Sequence, residues 1–180
     1  MKIKNVIGHF NTVNKHRWKV FMLSIKAGIP LRGLLHDLSK YSFIEFIESA
    51  KYYQGGKRSP IVKARSDKGY SKAWLHHKGR NRHHFEYWVD TKLKEQPVIP
   101  FKYSAEMICD MLAAGMIYQG KNWHQRYPLE YWEREEKEIV ANEKMKKFCR
   151  DVFTEVANQG IEKTINKKNL KAIYDKYCKS

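Results

Sequence analysis

The 180-residue chain contains no apolar run long enough to cross a membrane, because Lys, Arg or Glu interrupts every candidate well short of the roughly 18 residues required. Its first residues, Met1-Lys2-Ile3-Lys4-Asn5, carry charge with no apolar stretch behind them, so no signal peptide is expected. Cysteine is scarce: three residues, Cys109, Cys149 and Cys178, odd in number and far apart, argue for free thiols in a reducing compartment rather than a disulfide framework. Sustained period-two alternation and Asn-Gly hairpin signals are absent, which argues against a sheet. Acid is also in short supply, with 19 Asp and Glu against 35 Lys and Arg, a formal charge of +16. What remains is 42% hydrophobic, with five Trp, eleven Tyr and eight Phe, a composition that excludes a disordered basic tail. The expectation is one cytoplasmic domain over 1–180 with no membrane contact. Its charge calls for an anionic partner: a phosphorylated small molecule or a nucleic acid.

The apolar period is helical almost throughout. Val13, His16, Val20, Leu23 and Ala27 recur at intervals of three and four, predicting a helix over about 12–27 that Gly28 and Pro30 end. Ser42 reads as the N-cap of a helix that closes at Gly55-Gly56. From Lys57 to Gly69 the composition turns basic and aperiodic, as in a mobile loop. Helix signals return at 71–78, break at Gly79 and resume after Asn81 through Leu93. A strong helix follows over about 103–118, then two or three amphipathic helices beginning near Pro128, Asn142 and Lys168. The fold class is all-α, with a core over about 12–118 and a C-terminal helical extension over about 122–180.

Six of the eight histidines fall in the first half, on or beside predicted helices. His36-Asp37 follows two leucines, and a buried Asp needs a partner. His76-His77 and His83-His84 flank the basic linker Lys78-Gly79-Arg80-Asn81-Arg82 between aromatics. Asp110 stands inside the apolar helix beside Ala113 and Ala114, where an ion pair or a metal would satisfy it. Imidazole and carboxylate are ligands of divalent transition metals, and the eight candidate ligands are His16, His36, Asp37, His76, His77, His83, His84 and Asp110. Lys40, Lys78, Arg80 and Arg82 are candidate grips for an anion, Arg in bidentate fashion. His124, after a Gly-Lys-Asn turn, reads as a surface residue.

The order His16, His36-Asp37, the two His-His pairs and Asp110 resembles the HD-domain superfamily of metal-dependent phosphohydrolases over residues 12–118. The segment from Ala73 to Trp88 is similar to a small bacterial and phage family of unknown function. The HD resemblance implies a helical bundle in which His16, His36, Asp37 and Asp110 bind a first metal. The paired histidines then complete a second site that Asp37 bridges, and Lys40 contacts substrate phosphate. It implies one or two divalent ions (Fe, Mn, Zn, Co or Ni) and metal-activated attack of water on a phosphate ester, a nucleotide being the preferred class, with Asp37 and Lys40 as catalytic residues. The Gly-Tyr-Pro motif of the cyclic-dinucleotide phosphodiesterases is missing, so that activity is not implied. Sequence leaves open which histidine of each pair ligates. Two alternatives stand beside this reading: an HD-type di-iron oxygenase, and a non-catalytic basic module that binds nucleic acid or a partner.

Overall fold

The computed structural model describes residues 1–179 and, among them, contains helices and no strand. α1 (Ile3–Lys26) is 24 residues long and buries His9, Val13, His16, Val20 and Leu23 along one face. It begins nine residues before the period in the sequence suggests, because its first two turns expose Ile3 and Ile7. α2 (Pro30–Leu35) starts on a proline, whose fixed φ and missing N–H suit a first helical turn. Gly33 lets it lie directly on α1: a Cβ there would meet Ser24 Cβ at 2.4 Å and Phe21 Cα at 3.1 Å. A 3₁₀ turn over 38–41 leads to α3 (Phe43–Lys51), whose N-cap Ser42 accepts from the Glu45 N–H.

The segment 57–69 is not a loop. It holds α4 (Pro60–Lys68), opened by proline and closed by Gly69 at φ 78°. Only Pro60 and Ala64 are buried there, so no apolar period marks the helix in sequence. α5 (Lys72–Lys78) is capped by Ser71, which accepts from Trp74 N–H at 3.1 Å. The predicted continuation to Leu93 is absent. Beyond Gly79 the chain forms turns and a 3₁₀ segment over 85–87, and Asn81 donates back to the His77 carbonyl at 2.9 Å. α6 (Phe101–Gln119) is buried on nearly every side, as its apolar composition requires. α7 (Tyr127–Glu135), α8 (Glu143–Gln159), α9 (Ile161–Thr164) and α10 (Lys167–Cys178) complete the chain.

One hydrophobic core runs through the bundle. Val20 and Leu23 of α1, Ile108 and Leu112 of α6, Phe148 and Val152 of α8, and Leu170 of α10 belong to the same cluster. The C-terminal helices therefore cover one side of α6, while α1, α2, α3 and α5 occupy the other and leave a site between them. All three cysteines are buried and unpaired, and burial pushes the Cys109 thiol up to about 12. No helix of the described residues is long and apolar enough to cross a membrane.

Candidate metal centre

α1 projects His16, α6 projects Asp110, and the break after α2 projects His36 and Asp37. The last two do not lie on a helix, as the doublet's flanks suggest. His36 is extended (φ −54°, ψ 129°) and Asp37 is the one non-glycine residue at positive φ among those described (φ 53°). Aspartate tolerates that left-handed geometry at a cost of about 1 kcal/mol, and the turn sends both neighbouring side chains to one point. Arg17 pins it, donating from Nε to the His36 carbonyl (2.8 Å) and from a terminal nitrogen to the Leu34 carbonyl (2.9 Å).

Two four-residue groups of ligand atoms result, each within 4.8 Å of one another: His16, His36, Asp37 and Asp110, and then Asp37, His77, His83 and His84; a smaller one joins His36, His83 and Glu106. Asp37 belongs to both of the larger groups. Its Oδ2 lies 3.2 Å from His36 Nε2, and its Oδ1 lies 3.3 Å from His77 Nε2 and 3.4 Å from His83 Nε2. Asp110 faces His16 Nε2 at 3.0 Å and His83 Nε2 at 3.7 Å through its two oxygens.

Carboxylates behind the imidazoles fix how the rings present themselves. Glu106, one helical turn before Asp110, places Oε1 3.1 Å from His36 Nδ1 and 3.3 Å from His83 Nδ1, while Arg32 grips its other oxygen. Glu45 lies 2.8 Å from His77 Nδ1. The bonds to His36 and His77 favour protons on Nδ1 of those two rings, which turns their Nε2 atoms toward Asp37, while Glu106 faces His83 Nδ1 without bonding it. His76 is diverted: its Nδ1 bonds the other Glu45 oxygen at 2.6 Å, and it joins neither group. Of the first pair His77 points inward, and of the second pair both residues do. Glu45 and Glu106 carry no sequence signal as obvious as a His-Asp doublet. Glu106 was nonetheless detectable, since it and Asp110 are the only acids in α6 and stand four residues apart.

The electrostatics are those of a site built for cations. Burial raises the Asp37 and Asp110 carboxyls, yet both are held well below the usual range, Asp37 mainly by the charge of His36, and Asp110 by its bonds to His16 and His36. Burial lowers His36, but Asp37, Asp110 and Glu106 outweigh it and hold the ring well above its ordinary value. Burial also depresses His16 and, aided by the neighbouring His83, depresses His84 strongly. Both oxygens of Asp37 and both ring nitrogens of His83 are buried without a hydrogen-bond partner; the Lys40 ammonium stands 2.7 Å from Asp37 Oδ2 as an ion pair outside hydrogen-bond geometry. His77 Nε2 and His84 Nε2 are 2.9 Å apart, a spacing that only a shared proton or an intervening cation satisfies. Buried orphan acceptors cost several kcal/mol unless filled. This donor set, imidazole nitrogens around a shared carboxylate, therefore fits one or two divalent transition metals.

Two adjoining cavities of about 430 and 290 Å³ open onto the cluster, sharing Trp74, His84, Asp110 and Tyr118 in their walls. Lys40 and Arg58 line the smaller and Arg65 the larger, its guanidinium 5.1 Å from the Trp74 ring centre. The anion grips expected at Lys78, Arg80 and Arg82 are misplaced, because none of the three lines either cavity. The chain turns outward after Gly79, so Arg80 is exposed and bonds the His76 carbonyl, while Arg82 is exposed and donates to the Tyr103 hydroxyl at 2.9 Å. Only Lys40 of that set faces the cluster. His124 is half exposed beside Glu130 and belongs to neither ligand group, as a surface residue should be.

No curated protein and no solved structure matches the chain. A family model does match over residues 5–159, which takes in the whole ligand set together with α7 and α8, and on that match the chain belongs to the family of unknown function DUF5662.

Proposed function

We propose that the protein is a metal-dependent phosphohydrolase of the HD kind, acting on a phosphate ester. One observation carries this reading: Asp37 offers one oxygen to each of two ligand groups, and histidines converge on both. Divalent ions in such a site activate water and offset negative charge on phosphoryl oxygens. Everything else falls to the chain. Lys40, whose ammonium burial disfavours but Asp37 and Asp110 keep charged, stands where a phosphoryl oxygen would approach Asp37. Arg58 and Arg65 supply further positive charge along the walls, and an arginine can hold phosphate with two parallel hydrogen bonds. The larger cavity has room for an organic group against Tyr127, Tyr131 and Trp74, which suits a nucleotide or another aromatic ester. Burial of the cluster keeps bulk water from competing for the reacting centre.

The test combines metal content with phosphate release. Protein purified without chelator should carry one or two equivalents of Fe, Mn, Zn, Co or Ni, and Asp37→Asn, which keeps the left-handed turn but removes the bridging charge, should lose most of it. A panel of mononucleotides and aryl phosphates should then give metal-dependent phosphate release, at least about a hundredfold weaker in Lys40→Ala. A metal-loaded protein that releases no phosphate from any ester but consumes O₂ would move the same centre to oxygenase chemistry. A chain that takes up no metal on reconstitution would sink both.

A further inference from the structure

Apart from Phe10, whose ring meets Tyr41 and Phe46 edge-on, the outer face of α1 stands open. Ile3, Ile7 and Phe10 and, beyond Asn11 and Asn14, Trp18, Met22 and Ile25 lie on this face at helical spacing, 42–78% exposed, opposite the buried His16 face. α2 widens this stripe on one flank, where Gly33 rests on Phe21 and Ser24 and where Arg17 holds the Leu34 carbonyl; Leu31, Leu34, Leu35 and Leu38 are each about half exposed or more. With about 200 Å² for a large apolar side chain, these ten residues present roughly 1,000 Å² of apolar surface to water. That exceeds the about 300–600 Å² of the largest patch on an ordinary monomer and meets the about 800 Å² each partner gives to a stable dimer.

We infer that this face binds a second copy of the chain, forming a two-fold dimer through α1 and α2. The area argues for it, and the placement of charge permits it. Residues 1–36 hold seven Lys and Arg and no acid, and the exposed lysines Lys4, Lys15 and Lys19 all lie on the flank of α1 away from α2. A two-fold axis crossing α1 at right angles pairs the helices antiparallel and keeps like flank beside like flank. The apolar α2 flanks then meet, and the lysines of both copies share one edge that faces water. Their repulsion is at the rim, where salt screens it, so this dimer tightens as salt rises. An anionic lipid surface or a nucleic acid on the same face would loosen instead. The interface also backs the site: the helix that turns Trp18 outward turns His16 inward, and Leu34, Leu35 and Leu38 bracket His36-Asp37.

Sedimentation equilibrium of the full, metal-replete chain decides the matter. The expected mass is twice 21.5 kDa, with the dissociation constant falling between about 0.1 and about 0.5 M salt. Trp18→Glu, at a position 62% exposed, should weaken the dimer at least about thirtyfold with helical circular dichroism unchanged, and Leu34→Glu should do the same from α2. A wild-type monomer, or a dimer that both substitutions leave intact, would overturn the inference. So would a monomer that sediments with phosphatidylglycerol vesicles and is released by salt, which would assign the face to lipid.

Discussion

Glu106 shows how much of the site rests on a residue that touches no substrate. It is 1% exposed, it bonds His36 and faces His83, and Arg32 neutralises it from outside. Burial raises its carboxyl, but the bond to His36 and the imidazole of His83 beside it prevail and bring it to about 2, against an ordinary 4.5. Since the folded value is the lower one, this contribution is complete above the ordinary value and disappears as pH falls through the interval toward 2. It amounts to about 3 kcal/mol in order of magnitude. Glu106→Gln should therefore flatten the acid loss of stability in metal-free protein, read as urea midpoints between pH 5 and 2. It should also weaken metal binding about 10–100-fold, because the amide keeps one acceptor oxygen where the carboxylate has two, so its NH₂ must face either Arg32 or the rings. Unchanged metal affinity would reduce Glu106 to a packing role. The ligands were legible at this scale because His and Asp are rare on apolar helix faces. Their supports were not, because glutamate is ordinary in helices and only a fold reveals which one lies behind a ring.

At the scale of elements, helices with a buried face could be read from the sequence and the others could not. α6 announces itself by its apolar run and α8 by its period; α4 hides behind a basic surface, and the turns after Gly79 pass for helix because His84, Phe85 and Trp88 would share one helical face. The doublet is the instructive case: its apolar flanks read as helix, yet the chemistry needs a broken one, since adjacent helical residues point about 100° apart. α2 is the element that sets this break, and Gly33 sets α2. Gly33→Ala would push a methyl to 2.4 Å from Ser24 Cβ and 3.1 Å from the Phe21 backbone, which cannot retreat within α1. Overpacking of this sort costs about 1–3 kcal/mol, which for a chain of this size lowers Tm by roughly 2–12 °C. Metal affinity should fall as well, because the displaced helix carries His36 and Asp37. Adding Ser24→Gly should recover part of both losses, a coupling expected only of residues in direct contact. If Gly33→Ala melts with the wild type and binds metal normally, α2 is free to shift and does not position the turn.

For the whole molecule, a net charge of +16 conceals a core of the opposite sign. Asp37, Asp110, Glu45 and Glu106 converge on one cluster, where six histidines (His76 beside Glu45 among them), Lys40 and Arg32 stand near enough to offset them. α1, α2, α3, α5 and α6 each contribute to this junction, and the side chains there include unpaired buried acceptors rather than apolar packing. Ions bound at this junction join helices that the hydrophobic core joins only on the far side, so they stabilise the native state and not the unfolded chain. At about a thousand times the dissociation constant such binding adds about 4 kcal/mol, or roughly 8–16 °C in Tm for a chain of this size. Stripping the protein with a chelator should lower Tm by that amount and soften the N-terminal half first, with amide exchange accelerating in α2 and α5 before α8 and α10, whose core does not include the cluster. Asp37→Asn should melt near the stripped protein and respond little to chelator or added metal. Equal Tm values with and without metal, in protein shown to bind it, would mean that the helices hold the cluster together unaided.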